Sequence, residues 1–222
     1  MKTGMPRILV TAGPTRESID PIRYLSNHST GEMGYAFAKA ARGRGYQVTL
    51  ISGPVGLKAP AGVKLVRIVS ASDLQKACEK HFRNNDVIVM SAAVCDFRPQ
   101  HQVSHKIKRE KTLTLKLEKT PDIIANLAKR RRNNLVIGFC LETEDWLRRA
   151  RLKLSQKKLD GIVANRLSKS YVPFGQVKAQ MAFLGRNAKE VVVLKPQSKA
   201  SLAKALLKWI ETMHDQKAIQ KN

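Results

Sequence analysis

The sequence has few cysteines and no long apolar run. Its three cysteines, Cys78, Cys95 and Cys140, lie far apart and form no C-x-x-C pair, which argues against a disulfide framework and against a zinc site. Nowhere do about eighteen apolar residues follow one another, so no membrane-spanning helix is predicted. No apolar stretch precedes the first predicted strand, so no signal peptide is predicted. These absences favour a reduced, cytoplasmic protein without a membrane partner.

Acidic and aromatic residues are also scarce. The chain has 17 Asp and Glu against 41 Lys and Arg, a formal net charge of +24, and such an excess is typical of proteins that bind nucleic acid. Aromatic residues make up only 5% of the chain, so few could stack on single-stranded bases. Because the basic residues are spread along the chain, we favour a basic surface with clefts for small polyanions. Nucleic-acid binding is the less favoured alternative.

Apolar runs alternate with helical periods along most of the 222 residues. The patterns predict strands over residues 8–12, 46–54, 63–69, 86–93, 112–118, 135–140, 161–165, 177–184 and 190–194. A first helix opens at residues 29–34, and further helices are predicted over 74–82, 121–128, 143–158 and 198–213. Ser72 and Asp73 are predicted to cap the second helix, and residues 143–145 are predicted to cap the fourth. This order predicts an α/β fold with a Rossmann-like, doubly wound, mostly parallel sheet and an added antiparallel hairpin. We expect one domain over residues 1–213 and a loose polar tail over 214–222.

The segment after the first strand resembles a phosphate-binding loop. A polar stretch leads into a helix that opens at Ser29, Thr30 and Gly31, and the free N–H groups and dipole of a helix start favour an anion. The dinucleotide fingerprint G-x-G-x-x-G is absent, and the second strand ends at Ser52 and Gly53, where an NAD enzyme usually has an acidic residue. The segment predicts a phosphate cradle and disfavours a nicotinamide-dependent reductase.

Polar residues follow several predicted strands. Ligands of such folds lie at the carboxyl ends of the strands, which singles out residues 13–34, 92–111, 139–143 and 164–165. Asn27 could donate to a developing oxyanion, and Arg23 could hold a carboxylate or phosphate with two hydrogen bonds. The alternatives are an Asx turn or helix cap for Asn27 and a solvated loop charge for Arg23. Asp96 follows a strand end and could read a base or bind a metal.

Four lysines and one aromatic residue complete the candidate site. Lys106 and Lys108 share one side of the chain if their segment is extended, which suits a flap over a nucleotide triphosphate, although a generic basic surface explains them equally well. Lys153 and Lys157 lie on one helix face, either as a phosphate clamp or as a solvated face. Phe139 could stack on a base or belong to the core. The histidines show no metal-ligand spacing, so no protein zinc site is predicted.

Six stretches occur together in one order: TAGPTRESIDPIRYLSNHSTGEMG, SAAVCDFRP, KIKRE, TPDIIANL, VIGFCLET and KLSQKKLDGIVAN. This combination closely resembles the bacterial phosphopantothenoylcysteine synthetases, which are usually found as the C-terminal half of a bifunctional coenzyme A biosynthesis flavoprotein. The resemblance covers residues 5–195. It implies a homodimeric phosphopantothenate–cysteine ligase that joins 4′-phosphopantothenate to L-cysteine through an acyl-cytidylate formed from CTP, with Mg²⁺.

The resemblance also assigns roles to residues. It implies that Asn27 holds the acyl-cytidylate, that Arg23 lies on the phosphopantothenate side and that Lys106 is the flap lysine. The nucleotide-binding residues that it implies are Ser29, Thr30, Gly31, Asp96, Lys106, Pro121, Asp122, Ile123, Ile124, Phe139, Lys153 and Lys157. Mg²⁺ is expected to be held mainly by the nucleotide phosphates.

The sequence departs from the family pattern in a few places. Arg109 stands where Lys is common, Cys95 replaces a small residue, and Glu32 stands where a basic or neutral residue is frequent. The flavin-binding decarboxylase half has no room before the first strand, so we expect no FMN in this chain. A separate phosphopantothenoylcysteine decarboxylase is then an expected partner, and the chain is either a stand-alone enzyme or an excised domain. The residues alone leave the choice between CTP and ATP open.

Overall fold

The computed structural model describes residues 6–109, 111–167, 178–186 and 191–219. These residues form twelve strands and five helices with the loops that connect them. The strands are β1 (Arg7–Ala12), β2 (Arg16–Ser18), β3 (Tyr24–Ser26), β4 (Gln47–Ser52), β5 (Lys64–Arg67), β6 (Val87–Met90), β7 (Phe97–Pro99), β8 (Leu117–Lys119), β9 (Leu135–Glu142), β10 (Gly161–Arg166), β11 (Met181–Gly185) and β12 (Val192–Val193). The helices are α1 (Glu32–Gly43), α2 (Ala71–Phe82), α3 (Ile123–Lys129), α4 (Trp146–Gln156) and α5 (Lys199–Ile219).

Eight of these strands form one sheet in the order β12-β11-β10-β9-β6-β1-β4-β5. The six strands from β10 to β5 run parallel, whereas β11 is antiparallel to β10 and β12 is antiparallel to β11. The chain first extends the sheet from β1 toward β5 and then returns to add β6 on the other side of β1, so the strand order reverses between β1 and β6. The predicted doubly wound, mostly parallel sheet with an antiparallel addition is therefore confirmed. Residue 177 and residues 187–190 of the predicted hairpin lie outside the described residues.

The sheet is buried on both faces, which explains the continuous apolar runs of its central strands. In β1, Ile8 and Val10 pack in the core cluster that includes residues of α1 and α5. Leu9 belongs to the opposite cluster, where residues of α2, α3 and α4 cover the sheet. The three cysteines are buried with free thiols. Within the described residues, no helix is long and apolar enough to cross a membrane.

Three predicted boundaries are wrong. Helix α2 is capped by Ser70, not by Ser72 and Asp73; Asp73 is instead the third residue of a capping box, since the Asp73 N–H donates to Ser70 Oγ at 3.1 Å and the Ser70 N–H to Asp73 Oδ2 at 2.9 Å. Residues 143–145 precede α4 without a side-chain cap, and Asp145 has a φ of 46°. Helix α5 continues to Ile219 and does not end at residue 213, whereas residues 220–222 of the predicted tail lie outside the described residues.

The predicted strand over residues 112–118 is also mostly wrong. Only β8 pairs, with Leu117 opposite Pro99 and Lys119 opposite Phe97 of β7. Alternation favours an extended segment, but residues become a strand only where they pair with another strand, and β7 offers only three residues for pairing. The polar loop after β1 likewise contains an unpredicted small hairpin, in which β2 pairs with β3.

Candidate active site

The start of helix α1 lies against the loop that follows β1. Gly31 has a φ of +77°, which glycine adopts without strain. A Cβ there would lie 3.2 Å from the Gly13 nitrogen, and a Cβ on Gly34 would lie 2.5 Å from Ala12 Cβ and 2.6 Å from Ser91 Oγ. Glycine at these positions lets α1 approach the carboxyl ends of β1 and β6 closely.

No described side chain caps α1. Gly31 occupies the N-cap position without a side-chain hydrogen bond to the helix, whereas Ser70 and Asp122 cap α2 and α3. Ser29 Oγ accepts from the Gly31 N–H at 3.3 Å, which shapes the turn just before the helix. The helix start therefore offers N–H groups and the positive end of its dipole to an anion.

A cavity of about 180 Å³ lies at this helix start, and we call it the helix cavity. Its lining comes from the start of α1 and the loop before it, the ends of β6, β9 and β10, the start of β11 and the first residue of α5. These residues are Ser29, Thr30, Gly31, Glu32, Met33, Gly34, Ser91, Ala92, Ala93, Phe139, Cys140, Leu141, Asn165, Met181 and Lys199. The carboxyl ends of the strands thus meet the predicted phosphate cradle, as is usual for ligand sites of open α/β sheets.

A second cavity of about 490 Å³, which we call the wide cavity, adjoins the first. Both are lined by Ala92 and Phe139. The remaining residues of the wide cavity are Met90, Val94, Asp96, Phe97, Lys119, Thr120, Pro121, Asp122, Ile123, Ile124 and Lys157. Candidates from three distant segments, around Asp96, around Asp122 and at Lys157, therefore come together, and Phe139 lies at the junction of the two cavities.

Asp122 and Lys157 form an ion pair in the wide cavity. Lys157 Nζ lies 2.9 Å from Asp122 Oδ2, while Asp122 Oδ1 accepts from the Ala125 N–H at 3.1 Å and caps α3. The capping bond fixes the carboxylate at the helix start, and the carboxylate in turn holds the lysine at the cavity wall. The spacing of the sequence identified Lys157, but it did not show this partner.

Lys153 is paired with a different carboxylate. Its Nζ lies 2.6 Å from Glu142 Oε1, and Glu142, the last residue of β9, has only 9% of its side chain exposed. Lys153 is 44% exposed and lines neither cavity. Nearby, burial raises the pKa of the Cys140 thiol to about 12, so this cysteine is protonated at neutral pH. Sequence reasoning missed Glu142, because a single acid at a strand end gives no signal of its own.

Asn27 is held at the edge of the helix cavity. Its Nδ2 donates to the Ala93 carbonyl oxygen at 3.0 Å and contacts Cys95 Sγ at 3.7 Å. The same carbonyl accepts from the Thr15 N–H at 3.1 Å, and burial is the main reason why the pKa of the Cys95 thiol is raised. Asn27 itself is exposed and is not part of either cavity wall.

Arg23 lies in a tight turn that it shares with Asp20. Arg23 Nε and Nη2 donate to Asp20 Oδ2 at 3.0 and 2.5 Å, and these bonds hold the pKa of Asp20 well below its usual range. Arg23 Nη2 also donates to the Ile107 carbonyl at 3.0 Å, and the Ile107 N–H donates to Asp20 Oδ2 at 3.2 Å. The turn thus anchors the residue next to Lys106. Asp20 was not singled out in the sequence.

The structure brings together only part of the predicted site. The residues that line the two cavities are Ser29, Thr30, Gly31, Asp96, Pro121, Asp122, Ile123, Ile124, Phe139 and Lys157. Those outside both linings are Arg23, Asn27, Lys106 and Lys153. Asn27 adjoins the helix cavity through Ala93, whereas the exposed Lys106 is connected to the Arg23 turn through its neighbour in the chain.

Asn165 and Lys199 line the helix cavity without having been given a role from the sequence. Asn165 lies at the end of β10, in a stretch that strand ends single out, and its Oδ1 is buried without a hydrogen-bond partner among the described residues. Lys199 comes from the first turn of α5, far along the chain, and no motif indicated it. A water molecule or the hydroxyl group of a ligand would satisfy this acceptor.

The described residues contain no group of three or more His, Cys, Asp or Glu side chains that could hold a metal ion. The Mg²⁺ that the family resemblance implies needs few protein ligands, since Mg²⁺ often binds through one or two carboxylates and substrate phosphates. Asp96 offers an exposed carboxylate at the wide cavity and fits such an arrangement.

Fold and cavities together define a Rossmann-like α/β protein whose candidate site lies at the switch point of the sheet. The chain belongs to the family described as the DNA/pantothenate metabolism flavoprotein C-terminal domain, which it matches over residues 4–213. The family assignment made from the six stretches is thereby confirmed.

Curated relatives are coenzyme A biosynthesis bifunctional proteins CoaBC. The chain is 45% identical to the Vibrio cholerae protein over 166 residues, 73% of this chain and 42% of that protein. It is 39% identical to the Escherichia coli protein over 215 residues, 95% of this chain and 52% of that protein. The chain thus spans about half the length of the curated relatives that it matches.

Solved structures show the same fold. The crystal structure of the C-terminal domain of a CoaBC protein is 36% identical, with a TM-score of 0.81 over 95% of this chain and 96% of that chain. The Streptococcus pneumoniae DNA/pantothenate metabolism flavoprotein is 26% identical, with a TM-score of 0.80 over 93% of this chain and 99% of that chain. A Cab2 variant in complex with phosphopantothenate-cysteine has a TM-score of 0.80 over 97% of this chain and 88% of that chain at 15% identity, a likeness of fold alone.

Proposed function

We propose that this chain is a phosphopantothenate–cysteine ligase of coenzyme A biosynthesis. It would join 4′-phosphopantothenate to L-cysteine through an acyl-cytidylate formed from CTP. Membership of the family and the CoaBC relatives support the pathway. The observation that carries the proposal is the pair of adjoining cavities, with an uncapped helix start in one, the Asp122–Lys157 pair in the other and Phe139 at their junction.

The two-step chemistry explains why the site needs positive charge. A carboxylate is a poor electrophile, so its oxygen first attacks the α-phosphorus of CTP, and the bond to pyrophosphate breaks. The cysteine amine then attacks the acyl carbon of the mixed anhydride, loses a proton, and CMP leaves. The first step brings two anions together, which requires fixed positive groups such as the start of α1 and nearby lysines.

The wide cavity suits the nucleotide. Phe139, Ile123 and Ile124 provide an apolar wall for the base. Lys157 would leave Asp122 and bind a phosphate oxygen. Lys153, one helix turn earlier, would likewise leave Glu142 and bind a phosphate oxygen. Mg²⁺, when bound with the nucleotide, would neutralise phosphate charge, and Asp96 is the carboxylate that would hold it.

The acid substrate would lie between the helix cavity and the Arg23 turn. Asn27, already oriented by the Ala93 carbonyl, would donate to the acyl phosphate as it forms and keep the intermediate in place. Arg23 would bind the phosphopantothenate side. Because Lys106 lies outside both cavities, its segment must close over the site or be supplied by a neighbouring subunit, and in either case it would protect the anhydride from water.

Exposed apolar residues support a homodimer. Ile22, Tyr24, Phe97 and Leu117 are 60%, 47%, 47% and 46% exposed. They lie on or next to the two small two-stranded sheets, β2–β3 and β7–β8, which contact each other through β2 and β7. A patch of this kind beside a candidate site marks a protein interface. A second copy of the chain would cover the patch and place its own two-stranded sheets near the site.

Product analysis tests the proposed function. The protein is incubated with 4′-phosphopantothenate, L-cysteine, Mg²⁺ and either CTP or ATP, and phosphopantothenoylcysteine is measured by mass spectrometry. We expect product with CTP, together with equal amounts of CMP and pyrophosphate, and less with ATP. Absence of product with both nucleotides would contradict the proposal. A phosphopantothenoylcysteine decarboxylase added to a productive reaction should consume the product.

A further inference from the structure

Lys199 lies at the helix cavity with no role assigned to it so far. It is the first residue of α5, which packs along α1 on the same side of the sheet. Its Nζ lies 2.7 Å from Glu32 Oε2, and the two side chains are only 11% and 22% exposed. Both residues line the helix cavity at the start of α1. A largely buried ammonium group therefore lies beside the helix start where an anion is expected.

Other features of the helix cavity also suggest a ligand. The start of α1 has no side-chain cap. Its N–H groups therefore lack the side-chain acceptor that Ser70 provides for α2 and Asp122 provides for α3. Across the cavity, Asn165 Oδ1 is buried and has no partner among the described residues. A ligand with a phosphate group and a nearby hydroxyl would satisfy both the N–H groups and the amide oxygen.

Building on the function proposed above, we propose that Lys199 binds a phosphate group of a substrate at the start of α1. Glu32 holds the ammonium group of Lys199 while the cavity contains no phosphate. Two substrates of the proposed reaction carry phosphate, the nucleotide and the pantothenate ester, and both have hydroxyl groups near it.

The negative charge of Glu32 predicts opposite effects on phosphate binding for substitutions of Glu32 and of Lys199. A carboxylate in the first turn of a helix is stabilised by the dipole, and it also neutralises Lys199. An arriving phosphate competes with this carboxylate for both groups. Removing the charge of Glu32 should therefore strengthen phosphate binding, whereas removing the charge of Lys199 should weaken it. A purely structural ion pair would give a loss of stability in both variants and no selective change in binding.

The test compares Lys199→Gln and Glu32→Gln with the wild type. KM is measured separately for CTP, 4′-phosphopantothenate and cysteine, and the melting temperature is recorded for each variant. Lys204→Gln is the matched control, since Lys204 is an exposed lysine of the same helix outside the helix cavity. We expect Lys199→Gln to raise KM for one phosphorylated substrate about tenfold or more, Glu32→Gln to lower the same KM, and cysteine KM to stay unchanged.

The affected substrate identifies which phosphate lies at α1. Unchanged KM values for both phosphorylated substrates in Lys199→Gln would overturn the proposal. If that variant does not fold, Glu32→Gln decides, because an unchanged or raised KM for both substrates would overturn it as well. If the wild type makes no product, the ligase proposal fails separately. Calorimetric titration of CTP and of 4′-phosphopantothenate into the wild type and the same variants then tests the phosphate site, and equal affinities in all three proteins for both compounds would overturn it.

Discussion

At the scale of residues, the candidate site is a set of charged pairs between distant segments. Lys153 and Lys157 lie four residues apart, yet each meets its own carboxylate, Glu142 and Asp122. The spacing of the lysines predicted a shared helix face, but the acids come from other elements, which a sequence pattern cannot reveal. Each carboxylate neutralises its lysine, and in the proposed function the phosphates of the nucleotide would replace both carboxylates.

Asn27→Asp should allow activation and stall the second step. The amide Nδ2 donates to the Ala93 carbonyl, and an aspartate would lose this donor and bring negative charge to the acyl phosphate. We expect pyrophosphate release near the amount of enzyme, accumulation of acyl-cytidylate in quenched reactions and little final product. Normal product release without trapped intermediate would contradict the assigned role.

Asp20→Asn should lower stability in a pH-dependent way. The Arg23 guanidinium holds the folded-state pKa of Asp20 below its ordinary value, so the stabilisation is complete above the unfolded-state pKa of about 3.9 and is lost as the pH falls through the folded-state pKa. We expect the urea midpoint of the variant to lie below that of the wild type at pH 7, with a smaller difference near pH 3. An equal difference at both pH values would show that the charge of Asp20 is not the cause.

At the scale of elements, the start of α1 depends on close packing against the sheet. Gly34→Ala would place a Cβ 2.5 Å from Ala12 Cβ, and overpacking of this kind costs about 1–3 kcal/mol of unfolding free energy. Moving the helix start should also raise KM for a phosphorylated substrate. Gly43→Ala, in the last turn of the same helix with no atom within 4 Å, is the control and should be neutral or stabilising by about 0.5–1 kcal/mol. Equal stability of the two variants in chemical denaturation would contradict this account.

The segment that carries Lys106 is anchored but lies outside both cavities. Ile107 is bonded to Asp20 and Arg23, so the segment has a fixed base while the Lys106 side chain is exposed. We expect Lys106→Gln to keep the melting temperature and to lower kcat by orders of magnitude. Lys116→Gln, an exposed lysine outside the site, should keep normal turnover. Normal turnover in Lys106→Gln would reject the flap.

The elements show where sequence patterns suffice and where they do not. Continuous apolar runs predicted the strands of the parallel sheet, because a strand whose two faces are both buried consists mainly of apolar residues. The alternation of apolar and polar residues over 112–118 led to a wrong strand prediction. An extended segment becomes a strand only where another strand pairs with it, and β7 offers only three residues. The capping box at Ser70 was readable as S-x-x-D, yet the neighbouring Ser72 gave a competing signal.

For the molecule as a whole, the two small two-stranded sheets and their exposed apolar residues support a homodimer. We expect light scattering to give twice the chain mass of 24.8 kDa. Leu117→Glu, at a residue 46% exposed on β8, should shift the protein toward the monomer and lower activity, with unchanged secondary structure by circular dichroism. A wild-type monomer at assay concentration, with full activity, would contradict the dimer and leave Lys106 to act within its own chain.

The alternation of strands and helices predicted a parallel sheet with its site at the carboxyl ends of the strands. The strand order, with its reversal between β1 and β6, came only from the structure. The details of the site could not be predicted, because the helix cavity is completed by Asn165 and by Lys199, which is 167 residues along the chain from Glu32. The net charge of +24 is spread over the surface, and only a few of these basic residues line the two cavities.

In the proposed function the acid substrate is activated as an acyl-cytidylate, and the transfer of an oxygen isotope reports on this step. Phosphopantothenate labelled with ¹⁸O in its carboxylate is converted with CTP and cysteine, and CMP is analysed by mass spectrometry. Attack on the α-phosphorus followed by cleavage of the acyl C–O bond predicts one ¹⁸O atom in each CMP. Product formation with unlabelled CMP would contradict the account.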